Sequence, residues 1–428
     1  MTLAAASATH PTPNQLPSRQ VRRRVERSLS AQLAALSASD SERFPAAPSS
    51  AGLGHDTKSA TPPPAGHGRA GAQQARRARY DLRDSLNISS PYERMRKCGR
   101  CRIDEAVTAV RRADGSVSLA GLARCGSVWA CPVCAPAMLA ERGEELGRLG
   151  TWALAEGYHV AMLSLTVRHA WSDSIDDTLE GVARSYSRLC SGAPWERFCE
   201  RVGLVGSVRA MELTHAWANG WHPHIHALVI VRDEVPLPEG VHGPRVSGID
   251  ALFGAGWDWL AERWSTVVTR QLGDPHTPTL EHGCVLTVAE HCDYIAKMGL
   301  DMREVSGSTE KHAAEGHRTP WEIGRDAAKG GDASDWMLWR SYERATHGRR
   351  QLVWSRGLRA LCGAEEQTER ALLERAEERG EGIEVARLGA SDWAWVLARR
   401  AVCELLDAAE SGDPARLVRV LTGRAPDD

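Results

Sequence analysis

The run Gly220-Trp221-His222-Pro223-His224-Ile225-His226-Ala227-Leu228-Val229-Ile230 is the most informative in the chain. Alternate side chains of a strand share a face. His222, His224 and His226 therefore project from one side, and Pro223, Ile225, Ala227 and Val229 point into a core on the other. Packing does not account for three imidazoles on one strand face, whereas metal binding does. The preceding stretch, Met211-Glu212-Leu213-Thr214, offers a carboxylate, and Glu212 beside two imidazoles would suit Mg²⁺ or Mn²⁺. Parity stands in the way. A two-residue turn at Asn219-Gly220 puts odd positions such as His215 opposite His224 and His226. Glu212 reaches that face only if the loop has odd length or a bulge.

Around this strand the pattern is mixed. Residues 158–168 read as a buried strand, 175–190 as an amphipathic helix, and 204–214 and 222–231 as two strands close enough for a hairpin. A helix fits 250–272, with Trp257, Trp259 and Trp264 as packing anchors. A short strand at 283–288 precedes a helix over 289–302. Interleaved helices and strands with a hairpin predict an antiparallel α+β fold rather than a doubly wound sheet.

The helix after the last strand carries a second chemical pattern. Glu290, Tyr294 and Lys297 fall at i, i+4 and i+7, on one face. A phenol has a pKa of ~10, so roughly 0.1% is phenolate at neutral pH, and a nucleophilic tyrosine needs help. Glu290 can take a proton, while Lys297 and a metal-bound phosphate can stabilise developing charge. Alone, the same face is what a surface ion pair would give. Beside a histidine metal strand it reads as a nucleophile with its helpers.

Five of the eleven cysteines crowd into Cys98 to Cys134. Cys98-Gly-Arg-Cys101 and Cys131-Pro-Val-Cys134 are two C-x-x-C knuckles, with Cys125 between them. Two such knuckles suit tetrahedral Zn²⁺. Five thiols compete for four places, and the spacing leaves open which four bind. Closing the site contributes on the order of 10 kcal/mol to folding.

The chain ends differ in charge. Residues 1–97 hold fifteen Lys/Arg against seven Asp/Glu, with Pro-rich and Ala/Ser/Gly patches, and read as a poorly ordered basic leader. Its clusters, Arg22 to Arg24 and Arg76, Arg77 and Arg79, read as a solvated tail or as a phosphate-binding arm. Residues 361–428 invert the balance, nine basic against fifteen acidic, in a helix-rich pattern. Over all 428 residues the net charge is −2, which excludes a uniformly basic DNA-coating protein but not a local nucleic-acid site. No run of 18 apolar residues predicts a membrane span, and Met1 to Ser18 lacks the marks of a secretory signal. A cytoplasmic protein is expected.

His224-Ile225-His226 followed by Tyr294-x-x-Lys297 resembles the HUH endonucleases, specifically the single-tyrosine rolling-circle replication initiators of bacterial plasmids with upstream zinc-binding cysteines. Met162-Leu-Ser-Leu-Thr-Val167 is similar to that family's first motif, Trp221 to Leu228 to its second, and Val288 to Lys297 to its third. Cys125-Gly-Ser-x-Trp-x-Cys131-Pro-Val-Cys134 is similar to the cysteine motif of one branch. Gly348 to Leu358 is similar to actinobacterial versions. The resemblance covers roughly residues 98–360.

It implies an antiparallel sheet with helices on a ferredoxin/RRM-like core, plus a zinc module and a helical C-terminal region. The corresponding division is a leader at 1–97, a cysteine module at 98–147, a nickase domain at 148–305, a helical extension at 306–362 and an acidic helical region at 363–428. It further implies that His224, His226 and Glu212 hold a divalent cation. Tyr294 attacks the scissile phosphate and becomes joined to the 5′ phosphate, and the freed 3′ hydroxyl primes synthesis. Glu290 activates water at termination. Plasmid origin DNA, duplex and single-stranded, is the expected partner, with a host helicase and replisome. The absence of a second tyrosine at Lys297 or Met298 argues against two-tyrosine initiators and related transposases; a relaxase is chemically close. The contrasting readings are a zinc-ribbon DNA-binding protein without nicking activity, and a metallohydrolase of small phosphodiesters that uses water.

Overall fold

The computed structural model describes residues 69–235, 246–288, 316–330, 332–365, 368, 371–373 and 382–422. Its centre is an antiparallel sheet of β3 (His159–Leu165), β4 (Leu204–Ala216), β5 (Gly220–Val231), β8 (Cys284–Val288), β9 (His317–Arg318) and β10 (Leu352–Trp354). The order is β10-β4-β5-β3-β8, and β9 pairs with the end of β4, while β6 (Glu234–Val235) and β7 (Val246–Ser247) form a short ribbon of their own. The expected α+β class with antiparallel pairing is what the molecule has.

β5 is central because its second half can be nothing else. Ala227 to Val231 are all buried. A continuous apolar run of this kind is stable only with both faces covered. One face packs on α4 (Ile175–Leu189), α5 (Ala193–Val202) and α6 (Trp257–Leu272), where Leu163 and Val229 line a small cavity with Tyr186, Leu189, Phe198 and Leu260. α3 (Cys134–Ala155) packs against β3 and buries Met138, Leu146 and Leu149. Ser174 caps α4, its hydroxyl accepting from the Asp177 N–H at 3.4 Å, and Asp176 and Asp177 face the positive end of the helix.

The β4–β5 hairpin differs from the simplest expectation. Ala216 pairs with Gly220, so the loop is Trp217-Ala218-Asn219, three residues rather than two. The Asn219 N–H donates to the Ala216 carbonyl at 3.2 Å, and Gly220 takes φ +78°, the left-handed residue that such a loop requires. The odd length reverses the parity. Glu212 pairs with His224, and both share a face.

Two boundaries also move. The basic leader was expected to run to residue 97, yet α1 (Arg69–Ile88) and α2 (Glu93–Lys97) are helical, with Leu82, Leu86 and Met95 buried in the main core. Arg76 ion-pairs with Asp407 and Glu410, and Arg77 with Asp407 at 2.9 Å, so this cluster meets carboxylates within the chain rather than forming a free arm. The cysteine module is interrupted as well. Its hairpin, β1 (Val107–Arg111) and β2 (Val117–Ala120), joins β11 (Ile383–Leu388) in a second antiparallel sheet, ordered β11-β1-β2. α9 (Ala390–Ala398) and α10 (Val402–Ser411) close a separate core over it around Val107, Leu119, Leu388, Trp393 and Leu405. The extension after residue 316 adds α7 (Pro320–Ala328) and α8 (Ala333–Thr346), and its strands β9 and β10 border the main sheet.

Candidate metal centres

β4, β5 and β3 meet at one end of the main sheet, where three side chains converge. Glu212 Oε2 lies 3.2 Å from His224 Nε2 and 3.5 Å from His226 Nε2. The other nitrogen of each ring is already engaged. Ser164, paired with His226 across β3 and β5, puts its hydroxyl 2.7 Å from His226 Nδ1. His224 Nδ1 lies 3.2 Å from the His222 carbonyl. A ring that donates from Nδ1 to a carbonyl turns the lone pair of Nε2 outward, the tautomer of a metal-ligating histidine. With a carboxylate on the Nε2 side, His224 sits between two acceptors, so either a second proton or a cation must bridge Nε2 and Glu212. Burial opposes the charged imidazolium, but the hydrogen bond and charge of Glu212 outweigh it and raise the His224 pKa above its ordinary value. The donor set of one oxygen and two nitrogens fits a divalent cation with open positions for a ligand.

His222 shares this face but stands apart from the group. Its ring stacks on His169 with centroids 4.4 Å apart and planes 10° apart, and it is not among the three side chains whose ligand atoms converge. Burial, helped by neighbouring His224, His169 and His317, pushes the His222 pKa down to about 3, so it is a neutral ring at pH 7. Ser164 falls within the Met162–Val167 segment but has no role legible there, and His169 and His317 carry no sequence signal. A serine inside a strand carries no signal until the register shows which histidine it faces.

The cysteine group forms at the start of α3. Cys98, Cys125, Cys131 and Cys134 are buried, and their sulfurs lie within 4.8 Å of one another. Cys98–Cys134 is 3.5 Å, Cys98–Cys131 3.6 Å and Cys125–Cys134 3.8 Å. Four sulfurs about 2.3 Å from a tetrahedral ion stand about 3.8 Å apart, so the donor set has the shape of a structural metal site. Cys101 is excluded. It is exposed, because Gly99 at φ +66° turns the chain and the Cys101 carbonyl pairs with the Ala123 N–H at 2.8 Å. The knuckle expected at Cys98 and Cys101 is therefore Cys98 and Cys125, brought together across the base of the β1–β2 hairpin. Asn87, buried at the end of α1, donates to Cys131 Sγ at 3.5 Å. Burial disfavours a Cys131 thiolate, but hydrogen bonds from Cys125, Cys134 and Cys98 overcome it and hold that thiol well below its ordinary pKa.

Glu290, Tyr294 and Lys297 lie outside the described residues. The strand before them is placed: β8 pairs with β3, with Val285 opposite Ser164 and Val288 opposite Ala161.

Comparisons with known proteins converge on the same region. A family model described as a replication protein matches residues 118–235, the span from β2 through the hairpin of Glu212 and His224. The chain is similar to the Streptomyces lividans protein named Protein rep, 31% identical over 312 residues, covering 60% of this chain and 67% of that protein. It is also similar to a Streptomyces cyanogenus protein named Neomycin resistance protein, 33% identical over 188 residues, covering 38% of this chain and 42% of that one. No solved structure matches.

Proposed function

This chain belongs to the Rep family of replication proteins, initiators of plasmid replication, and from that premise we propose that it opens rolling-circle replication by nicking the origin strand with Tyr294. The observation that carries the reading is the Glu212–His224–His226 group, two aligned Nε2 atoms around one carboxylate oxygen on a rigid sheet. Glu212, His224 and His226 would hold a Mg²⁺ or Mn²⁺ ion, which when bound would polarise the scissile phosphate and offset the charge that develops on it. Glu212 brings its carboxylate to the Nε2 side of both histidines, and the Ser164 hydroxyl holds the His226 ring in that orientation.

In the step itself the Tyr294 oxygen forms the new bond to phosphorus, and the bond to the 3′ oxygen breaks. The phenolic proton passes to a base, for which Glu290, four positions before Tyr294 in the sequence, is the candidate. The 3′ oxygen leaves with the bonding electron pair and takes a proton from water, giving the hydroxyl that primes synthesis, and the 5′ phosphate stays on Tyr294. Lys297, three positions after Tyr294 in the sequence, balances the negative charge. At termination Glu290 activates water for release. Zn²⁺ is the ion that suits Cys98, Cys125, Cys131 and Cys134, in a structural role. Among the described residues no helix is long and apolar enough to cross a membrane. The substrate is plasmid origin DNA, duplex and single-stranded, and the host helicase and replisome take over the opened strand in the cytoplasm.

Nicking of supercoiled plasmid carrying the candidate origin tests this. Wild-type protein should give an open circle and a protein–DNA adduct that survives denaturation, mapping to Tyr294. Tyr294→Phe should lose both while keeping origin affinity. A Tyr294→Phe variant that nicks at the wild-type rate sinks the reading. Cleavage without any adduct points to water as the nucleophile, and affinity without cleavage in the wild type leaves a DNA-binding module.

A further inference from the structure

Two tryptophans are held open to solvent on hydrogen-bonded turns, Trp217 in the β4–β5 hairpin loop and Trp171 in the β3–α4 connection packed against it. Trp217 is 52% exposed and Trp171 67%. Indoles are usually covered, and large exposed aromatics on two adjoining turns each offer a free ring face to a partner. Neither is on a loose loop. The Ala170 N–H donates to Asp173 Oδ2 at 2.6 Å, and the Asp173 N–H returns to the Ala170 carbonyl at 3.0 Å. The Arg168 N–H donates to the His276 carbonyl at 3.1 Å, while His276 Nδ1 meets the Arg168 carbonyl at 3.0 Å. The turn carrying Trp171 also lies directly against the hairpin. A Cβ on Gly220 would sit 3.0 Å from Trp171 Cα and 3.1 Å from the Ala170 oxygen. Trp217 is steadied by the His215 ring, edge-on at 5.4 Å, and by the Arg318 guanidinium 5.9 Å from its centroid.

The location gives the pair its meaning. His169, in the same turn as Trp171, stacks on His222, two residues from His224. Along β5, Gly220 and His224 are about 13 Å apart, the reach of a few nucleotides. Arg168 is exposed and has no ion pair among the described residues. Arg318 is bonded to Asp335 at 2.7 Å and Asp326 at 2.6 Å, so it serves Trp217 more as a planar support than as a free charge. An indole face stacks on any base, and stacking platforms beside a cationic group are how single strands are gripped without reading sequence. We propose that Trp171 and Trp217 form a base-stacking platform that holds unpaired DNA beside the Glu212–His224–His226 group. The inference rests on the nickase reading and names what positions its substrate: an extended single strand whose bases lie on the hairpin tip while its backbone reaches the metal group.

The test is binding of a short fluorescent mixed-sequence oligonucleotide, without added divalent cation so that no cleavage occurs, followed by anisotropy and by quenching of tryptophan emission. Trp171→Ala and Trp217→Ala should each raise Kd by about tenfold. Trp171→Phe and Trp217→Phe should recover most of the loss, and affinity for blunt duplex should hold. On the DNA side, abasic positions should weaken wild-type binding and leave the double alanine variant unaffected. Alanine variants that bind the single strand within about twofold of wild type overturn the platform even when wild type nicks normally. If His224→Ala removes nicking while the oligonucleotide is still gripped through both tryptophans, the two readings stand together. A wild-type protein that neither grips the oligonucleotide nor nicks the origin fails the functional reading itself.

Discussion

Ser164 decides which nitrogen of His226 faces Glu212. With its hydroxyl 2.7 Å from Nδ1, the ring cannot turn over without losing that bond. Ligand-orienting partners of this kind are worth 10- to 100-fold in metal affinity. Ser164→Ala should weaken Mn²⁺ binding by about tenfold or more, measured by calorimetry, with nicking restored at saturating metal. Unchanged affinity would show that the hydroxyl is idle. His215 makes a different prediction. Burial, with repulsion from Arg318, drops its pKa from the ordinary 6.5 to about 4. The unfolded chain therefore takes the proton first as pH falls. The stabilisation is complete above about pH 6.5 and is lost as pH falls toward 4. His215→Gln should flatten denaturant stability across that window, and an unaltered pH slope would refute the assignment.

At the scale of elements, the three-residue loop Trp217-Ala218-Asn219 sets the register that brings Glu212 to His224. Side chains alternate with period two, so one residue more or less sends a strand's pattern to the other face. Deleting Ala218 should force either a bulge or a slipped β4. The expected readout is loss of Mn²⁺ binding and nicking with the bound zinc retained. Survival of both activities would mean the sheet absorbs the change elsewhere. The cysteine group is similarly a product of element geometry. Cys101→Ser should keep one zinc per chain by elemental analysis, whereas Cys125→Ser should lose it and lower stability by several kcal/mol. Equal zinc in both would return Cys101 to the ligand set.

Over the whole molecule, α1 ties the two cores together. Its Leu82 and Leu86 enter the main core, Asn87 reaches Cys131, and Arg76 and Arg77 meet Asp407 on α10 of the second core. Asp407 is only 2% exposed at its side chain, so Arg76 neutralises a charge that water does not. Removing one partner of a buried pair costs about 3–5 kcal/mol. Arg76→Ala should therefore loosen the C-terminal core first, seen as faster amide exchange in β11 and α10 than in β5. Uniform exchange across both cores would argue against the clasp. The opposite charges of the chain's two ends, which looked like separate tails in the sequence, are partly one interface.

The sequence by itself determined the α+β class, the one-sided presentation of His222, His224 and His226, and the cysteine-rich site, because period-two patterning and short-range ligand spacing are local properties of a chain. It could offer Glu212 only conditionally, could not choose among five cysteines, and read residues 69–97 as unstructured. Those questions turn on a loop's parity, on a glycine that swings Cys101 outward, and on carboxylates more than 300 positions away. Tertiary structure alone decided them, since only folding makes distant residues neighbours.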